Sequence, residues 1–146
     1  MPHRILAVLV ALLLSFTATA QGRDDARLQA FARQLRLAAV DDFVDTVRSL
    51  RTTKRLPDRY VTKREAERLG WQPGSDLCRV ARGKTIGGDR FGNYERRLPV
   101  VQGRVWREAD LDFNCGRRGA KRLLFSSDGL IYVTIDHYES FREVPR

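Results

Sequence analysis

Apolar positions follow three regimes along the chain. They are nearly continuous from Ile5 to Phe16, recur at helical spacing from about Gln21 to Gly70, and fall into short β-like runs beyond Gly83. Leu28, Phe31, Leu35 and Ala38 have helical spacing in an Arg-, Ala- and Leu-rich stretch that could be a pro-segment or an extra helix. Phe43, Val47 and Leu50 form one apolar face behind Asp41-Asp42, an N-cap signal, which predicts a core helix over about 42–54 that Leu56-Pro57-Asp58 ends. Thr62 and Glu65 have capping-box spacing, and Ala66 and Leu69 carry a second, short helix to Gly70. The later runs, Gly103–Leu111, Lys121–Ser126, Leu130–Thr134 and Ser140–Val144, predict strands. Ser127-Asp128-Gly129 between two of them is a hairpin signal. Helices first and strands later predict an α+β fold, with N-terminal helices packed on a C-terminal antiparallel sheet.

The continuous run has a different meaning. His3 and Arg4 precede it and Ala18-Thr19-Ala20 closes it, so residues 1–20 are expected to be a signal peptide, with 21–41 a pro-segment or N-terminal extension and 42–146 the functional domain. An uncleaved anchor is the weaker reading, because a span needs about 20 apolar residues. No second such stretch follows, so no membrane span is expected in a mature, secreted chain, whether periplasmic or extracellular.

At 146 residues the chain is too short for a multidomain enzyme, and its formal charge of +9 favours a polyanionic partner. Removing residues 1–20 takes one arginine and no acid, leaving +8, and makes His137 the only histidine. Two cysteines and two histidines do not readily build a closed zinc site, so neither metal nor cofactor is expected. Gly83-Lys84-Thr85 is no phosphate loop, since Cys78 stands where the first glycine of that motif belongs. Gly83 to Glu95, with four glycines and two aromatics, suits a loop that brings backbone amides to a ligand, although a tight turn would also account for the glycines.

Glu108, His137 and the basic group Arg117-Arg118 and Lys121-Arg122 gain meaning only together. Taken singly, each is an ordinary surface residue. Attack of a ribose 2′-hydroxyl on its own phosphate needs a base, an acid for the departing 5′-oxygen, and fixed cations for the phosphorane. One carboxylate, one histidine and clustered guanidinium groups supply all three without a metal.

Four segments, LPDRYVTKREAERLGW (56–71), GKTIGGDRFGNYE (83–95), RLPVVQGRVWREADLDF (97–113) and SSDGLIYVTIDHYESF (126–141), closely resemble the barnase-like microbial guanyl-preferring ribonucleases, and the helix at 42–54 aligns without a gap. The resemblance implies a secreted endoribonuclease that cleaves single-stranded RNA after guanosine through a 2′,3′-cyclic phosphate. Position by position it implies Glu108 as general base, His137 as general acid, Arg118 and Arg122 as phosphate-holding arginines and Lys63 as an active-site lysine. It also implies Phe91, Gly92, Asn93, Tyr94 and Glu95 as a guanine-recognition loop, with Tyr138 beside the acid. Gly92 and Tyr94 depart from the family's Ser and Arg, Arg117 from an aromatic and Gly129 from a Trp. Cys78 and Cys115 are not cysteines in the family's best-known member; the alignment puts them in segments that could be adjacent, and a disulfide is expected. The resemblance further implies a monomer and a barstar-like acidic inhibitor protein. The rival reading is a catalytically inactive basic nucleic-acid-binding or membrane-active protein on the same fold.

Overall fold

The computed structural model describes residues 19–146, so the predicted signal segment up to residue 18 lies outside the described residues. Residues 19–34 are helical (α1), followed by α2 (Val40–Thr53) and the short α3 (Lys63–Arg68). Six strands follow the order β1 (Tyr60–Val61), β2 (Thr85–Phe91), β3 (Trp106–Asp110), β4 (Arg122–Ser126), β5 (Ile131–Thr134) and β6 (Arg142–Glu143), each beside its sequence neighbour. All pairings are antiparallel except β1 with β2. The α+β expectation holds.

Alternation along β4 shows how the sheet divides the core. Leu123 joins Leu111, Ile131, Val133 and Val144 against the Phe43, Val44, Val47 and Leu50 face of α2, while its neighbour Leu124 turns the other way to Leu98 and Trp106. α1 adds Leu28 and Ala32, and the turn that follows it adds Leu35 and Leu37, to the first of these clusters, all at most 5% exposed. Ala38, expected on the same stripe, is exposed, because the helix has already ended. Asp24 pairs with Arg51 at 3.2 Å and Asp25 with Arg48 at 2.6 Å, fastening α1 along α2. A third cluster, Ala66, Trp71, Leu77, Ala81 and Ile86, packs α3 and the following 3₁₀ turn (Leu77–Arg79) on β2. Among the described residues no helix is long and apolar enough to cross a membrane.

Asp41 and Asp42 do not cap α2; they occupy its first turn, and its N-cap, Ala39, offers no side-chain bond. The cap comes from the loop that follows β3. Asp112 accepts the Ala38 and Ala39 N–H groups at 2.9 Å each and pairs with Lys121 at 2.7 Å. Partial burial pushes its carboxyl up, but the bonds from Lys121, Ala39 and Ala38 outweigh that and hold it below the ordinary range. α3 forms as expected: Thr62 Oγ1 accepts from the Glu65 N–H at 3.2 Å, and Glu65 accepts from the Thr62 N–H at 2.7 Å. The hairpin between β4 and β5 also forms, and Gly129 takes φ +98°, a conformation costly for any other residue. Gly83 to Glu95 is only partly a loop, since Thr85–Phe91 is a strand, bulged between Gly87 and Asp89 where it meets β3.

Candidate active site

The two faces of β3 have separate tasks. Arg107 and Ala109 point one way; Trp106, Glu108 and Asp110 point to the face opposite the helices, where Glu108 is only 7% exposed. A buried carboxylate requires partners. Tyr138 Oη donates to Glu108 Oε2 at 2.5 Å, and Lys63 Nζ, on the first residue of α3, lies 3.6 Å from Oε1. Burial, with the bond to Glu108 adding to it, pushes the Tyr138 hydroxyl up to about 12, so it remains a neutral donor throughout the working pH range. Lys63 is itself located by its own backbone N–H, which donates to Asp89 Oδ2 at 3.0 Å from the bulge in β2.

Asp110 lies two residues beyond Glu108 on the same face, opposite Arg122 in the β3–β4 register. It accepts from Arg118 Nε and Nη2 at 2.7 and 2.6 Å, a bidentate pair. Arg122 Nε approaches the same carboxylate at 3.0 Å as an ion pair, outside hydrogen-bond geometry, while its Nη1 donates to the Gly119 and Lys121 carbonyls. One buried acid therefore aligns both arginines. Asp110 and Asp89 were not singled out from sequence, although the period-two spacing from Glu108 to Asp110 carried a usable signal.

A cavity of about 420 Å³ opens beside Glu108. His137 and Tyr138 border it on one side, and Phe91 to Glu95 on the other. The rings of Phe91 and Tyr138 stack at 5.2 Å between centroids, joining the two walls. Residues 92–98 close on themselves: Asn93, at φ +48°, donates to the Leu98 carbonyl and accepts from the Leu98 N–H, both at 3.0 Å. Tyr94 is 94% exposed, and its ring lies so close over Gly92 that a Cβ there would stand 2.3 Å from it. The two departures at 92 and 94 are thus one structural feature. Glu95 is exposed and paired to Arg97 Nε at 2.7 Å.

His137 and Tyr138 are consecutive residues with positive φ, +54° and +72°. Such a turn persists only when its surroundings hold it. Tyr138 N–H donates to Thr134 Oγ1 at 3.0 Å, and Asp136 accepts from Ser140 N–H and Oγ and from Thr134 Oγ1. The Ser140 bonds, with help from Thr134, bring the Asp136 carboxyl down to about 2, against an ordinary 3.8. A depressed carboxylate stabilises the folded turn above its ordinary value, and that contribution fades as pH falls from about 4 towards 2.

The residues expected in the active site lie on the sheet face away from α1 and α2, in the loops at its rim, or, for Lys63, at the start of α3 beside it. Glu108, His137, Tyr138 and the 91–95 loop share one cavity; Lys63 touches it through Glu108, and Arg118 and Arg122 flank Glu108 through Asp110. Away from this face, Cys78 and Cys115 are disulfide-bonded, with Cα atoms 5.5 Å apart.

The ribonuclease family model matches residues 45–145. Ribonucleases of Bacillus intermedius and Bacillus pumilus are each 50% identical to the chain over 109 residues, 74% of this chain and 67% of theirs. The ribonuclease of Heyndrickxia coagulans is 49% identical over 108 residues, 73% of this chain and 99% of its own length. With about half the residues identical over roughly three quarters of the chain, and the family model running from within α2 to residue 145, the chain belongs to the barnase-like microbial ribonucleases.

Proposed function

We propose that the protein is a secreted endoribonuclease that cleaves single-stranded RNA after guanosine, without a metal. The observation that carries this reading is a buried Glu108, held by a neutral phenol and a lysine, in one cavity with His137. Glu108 takes the ribose 2′-hydroxyl proton, the 2′-oxygen attacks the phosphorus, and the P–O5′ bond breaks as imidazolium His137 protonates the departing oxygen. Arg118, Arg122 and Lys63 bear the charge that gathers on the phosphorane. Asp110 leaves the Nη1 edge of Arg118 for a phosphate oxygen and spares the arginines any reorganisation during the step. The 2′,3′-cyclic phosphate is then hydrolysed with roles reversed, His137 activating water and Glu108 returning the proton.

Guanine recognition rests on Glu95, whose carboxylate can accept from N1–H and the exocyclic amine, donors that adenine lacks on that edge. Tyr94 adds a stacking face that serves any base. Glu95→Ala is expected to reduce the ratio of kcat/KM for guanylyl-uridine over adenylyl-uridine by about tenfold or more, the cost of unpaired donors. Tyr94→Ala should lower both values alike, by about 1–3 kcal/mol of lost stacking. An unchanged ratio in Glu95→Ala would show that recognition lies elsewhere.

Export is supported by the N-terminal signal pattern and by a disulfide, which oxidising compartments favour. The burial of Leu28 and Ala32 on α1, and of Leu35 just after it, supports retention of α1 as an extension of the mature domain, and the intact mass of exported protein beginning at Gln21 would establish it. We read the active protein as a monomer, as the family resemblance implies. An acidic inhibitor in the producing cell would meet Lys63, Arg118 and Arg122 at this face.

A further inference from the structure

Arg97 makes contacts that the reaction as described does not use. It follows the recognition loop, and its Nε is 2.7 Å from Glu95. Its Nη1 reaches across the cavity to donate to the Glu139 carbonyl at 2.7 Å and the Tyr138 carbonyl at 3.4 Å, with the Glu139 carboxylate 3.8 Å away. One planar fork thus touches the base-reading carboxylate and the backbone of the positive-φ turn that carries His137. The carbonyls it holds belong to residues directly following His137, so freeing them gives the turn room to relax towards less strained conformations.

We infer that Arg97 is a positioning residue, tying the base-recognition loop to the histidine turn so that a base at Glu95 and the proton donor at the leaving oxygen are held in fixed register. The inference rests on the roles given above to Glu95 and His137. Exposed ion pairs contribute little to stability, so the tie should act on geometry more than on folding. A proton donor displaced by a fraction of an ångström slows the step after binding, which places the effect in kcat.

The test is kcat and KM for guanylyl-uridine and adenylyl-uridine in wild type, Arg97→Ala, Arg97→Lys, Glu95→Ala and the Arg97→Ala/Glu95→Ala double variant, with thermal midpoints as a folding control. Arg97→Ala should lower kcat for guanylyl-uridine about tenfold, with KM changed by less than about threefold. Arg97→Lys keeps the charge but not the fork and should leave kcat below wild type. In the Glu95→Ala background the same arginine substitution should cost less, because one end of the tie is already gone. Unchanged kcat in Arg97→Ala, a loss carried by KM alike for both dinucleotides, or an equal cost with and without Glu95 would overturn the inference. Wild-type protein that cleaves both dinucleotides equally would overturn instead the recognition reading beneath it, a result visible before any variant is made.

Discussion

His137→Ala is expected to lower kcat for transphosphorylation at least about a hundredfold, the lower range for loss of a positioned acid or base. The reason lies in the composition of the site. With residues 1–20 removed, His137 is the only imidazole in the chain, and the lysine and arginines near Glu108 are far too weakly acidic to replace it. Glu108→Ala should cost a comparable factor and remove the acidic limb of a bell-shaped kcat/KM profile, since the reaction requires Glu108 ionised and His137 protonated. Tyr138 and Lys63 add to the Glu108 effect, because both are turned towards a carboxylate that the variant lacks. Full activity in His137→Ala, measured on a dinucleotide to avoid differences in RNA binding, would remove it from the mechanism.

The second large effect concerns stability. Replacing Cys78 and Cys115 by Ser should destabilise the protein by about 4 kcal/mol, the chain-entropy figure for a crosslink spanning a separation of 37 residues. The bridge joins the 3₁₀ turn at Leu77–Arg79, anchored by buried Leu77, to the exposed loop between β3 and β4. That loop contains three left-handed residues in quick succession, Asp112, Cys115 and Gly116, and leads directly into Arg117 and Arg118. Loss of the bridge therefore leaves the segment from Asn114 onward held only through Leu111 in the main core and Phe113 against the Trp71 and Leu77 cluster, both on its N-terminal side. Urea unfolding of the double variant and of reduced wild type should agree, and a loss below about 1 kcal/mol would show that the loop is held by other contacts.

What was legible in the sequence was local. The Thr62 capping box and the Asp128-Gly129 turn are determined within four residues, and both formed as read. Glu108 and His137 were legible by chemical type, and the resemblance located them within one site. The failures are non-local. Asp41-Asp42 resembled a cap, but the acid that closes the start of α2 is Asp112, more than 70 residues away. Thr85–Phe91 contains two glycines and an aspartate, a poor strand by propensity, yet it pairs with β1 on one side and β3 on the other. Tyr60 explains one of those glycines: its ring occupies the space a Cβ at Gly87 would fill, at 2.4 Å. Asp110 was half legible: its period-two spacing from Glu108 puts it on the same face, but only the β3–β4 register sets it opposite Arg122 and only the folded loop before β4 brings Arg118 to it. Arg97 was half local: Glu95 is two residues away, but its other partner is a turn some 40 residues on that no local pattern indicates.

The most direct test of the account is incubation of the exported protein with guanylyl-uridine in EDTA, with products followed by chromatography. The account requires guanosine 2′,3′-cyclic phosphate to appear first, with uridine, and guanosine 3′-phosphate to follow more slowly. A protein that binds RNA but leaves the dinucleotide intact, or that cleaves it only when metal is restored, would contradict it.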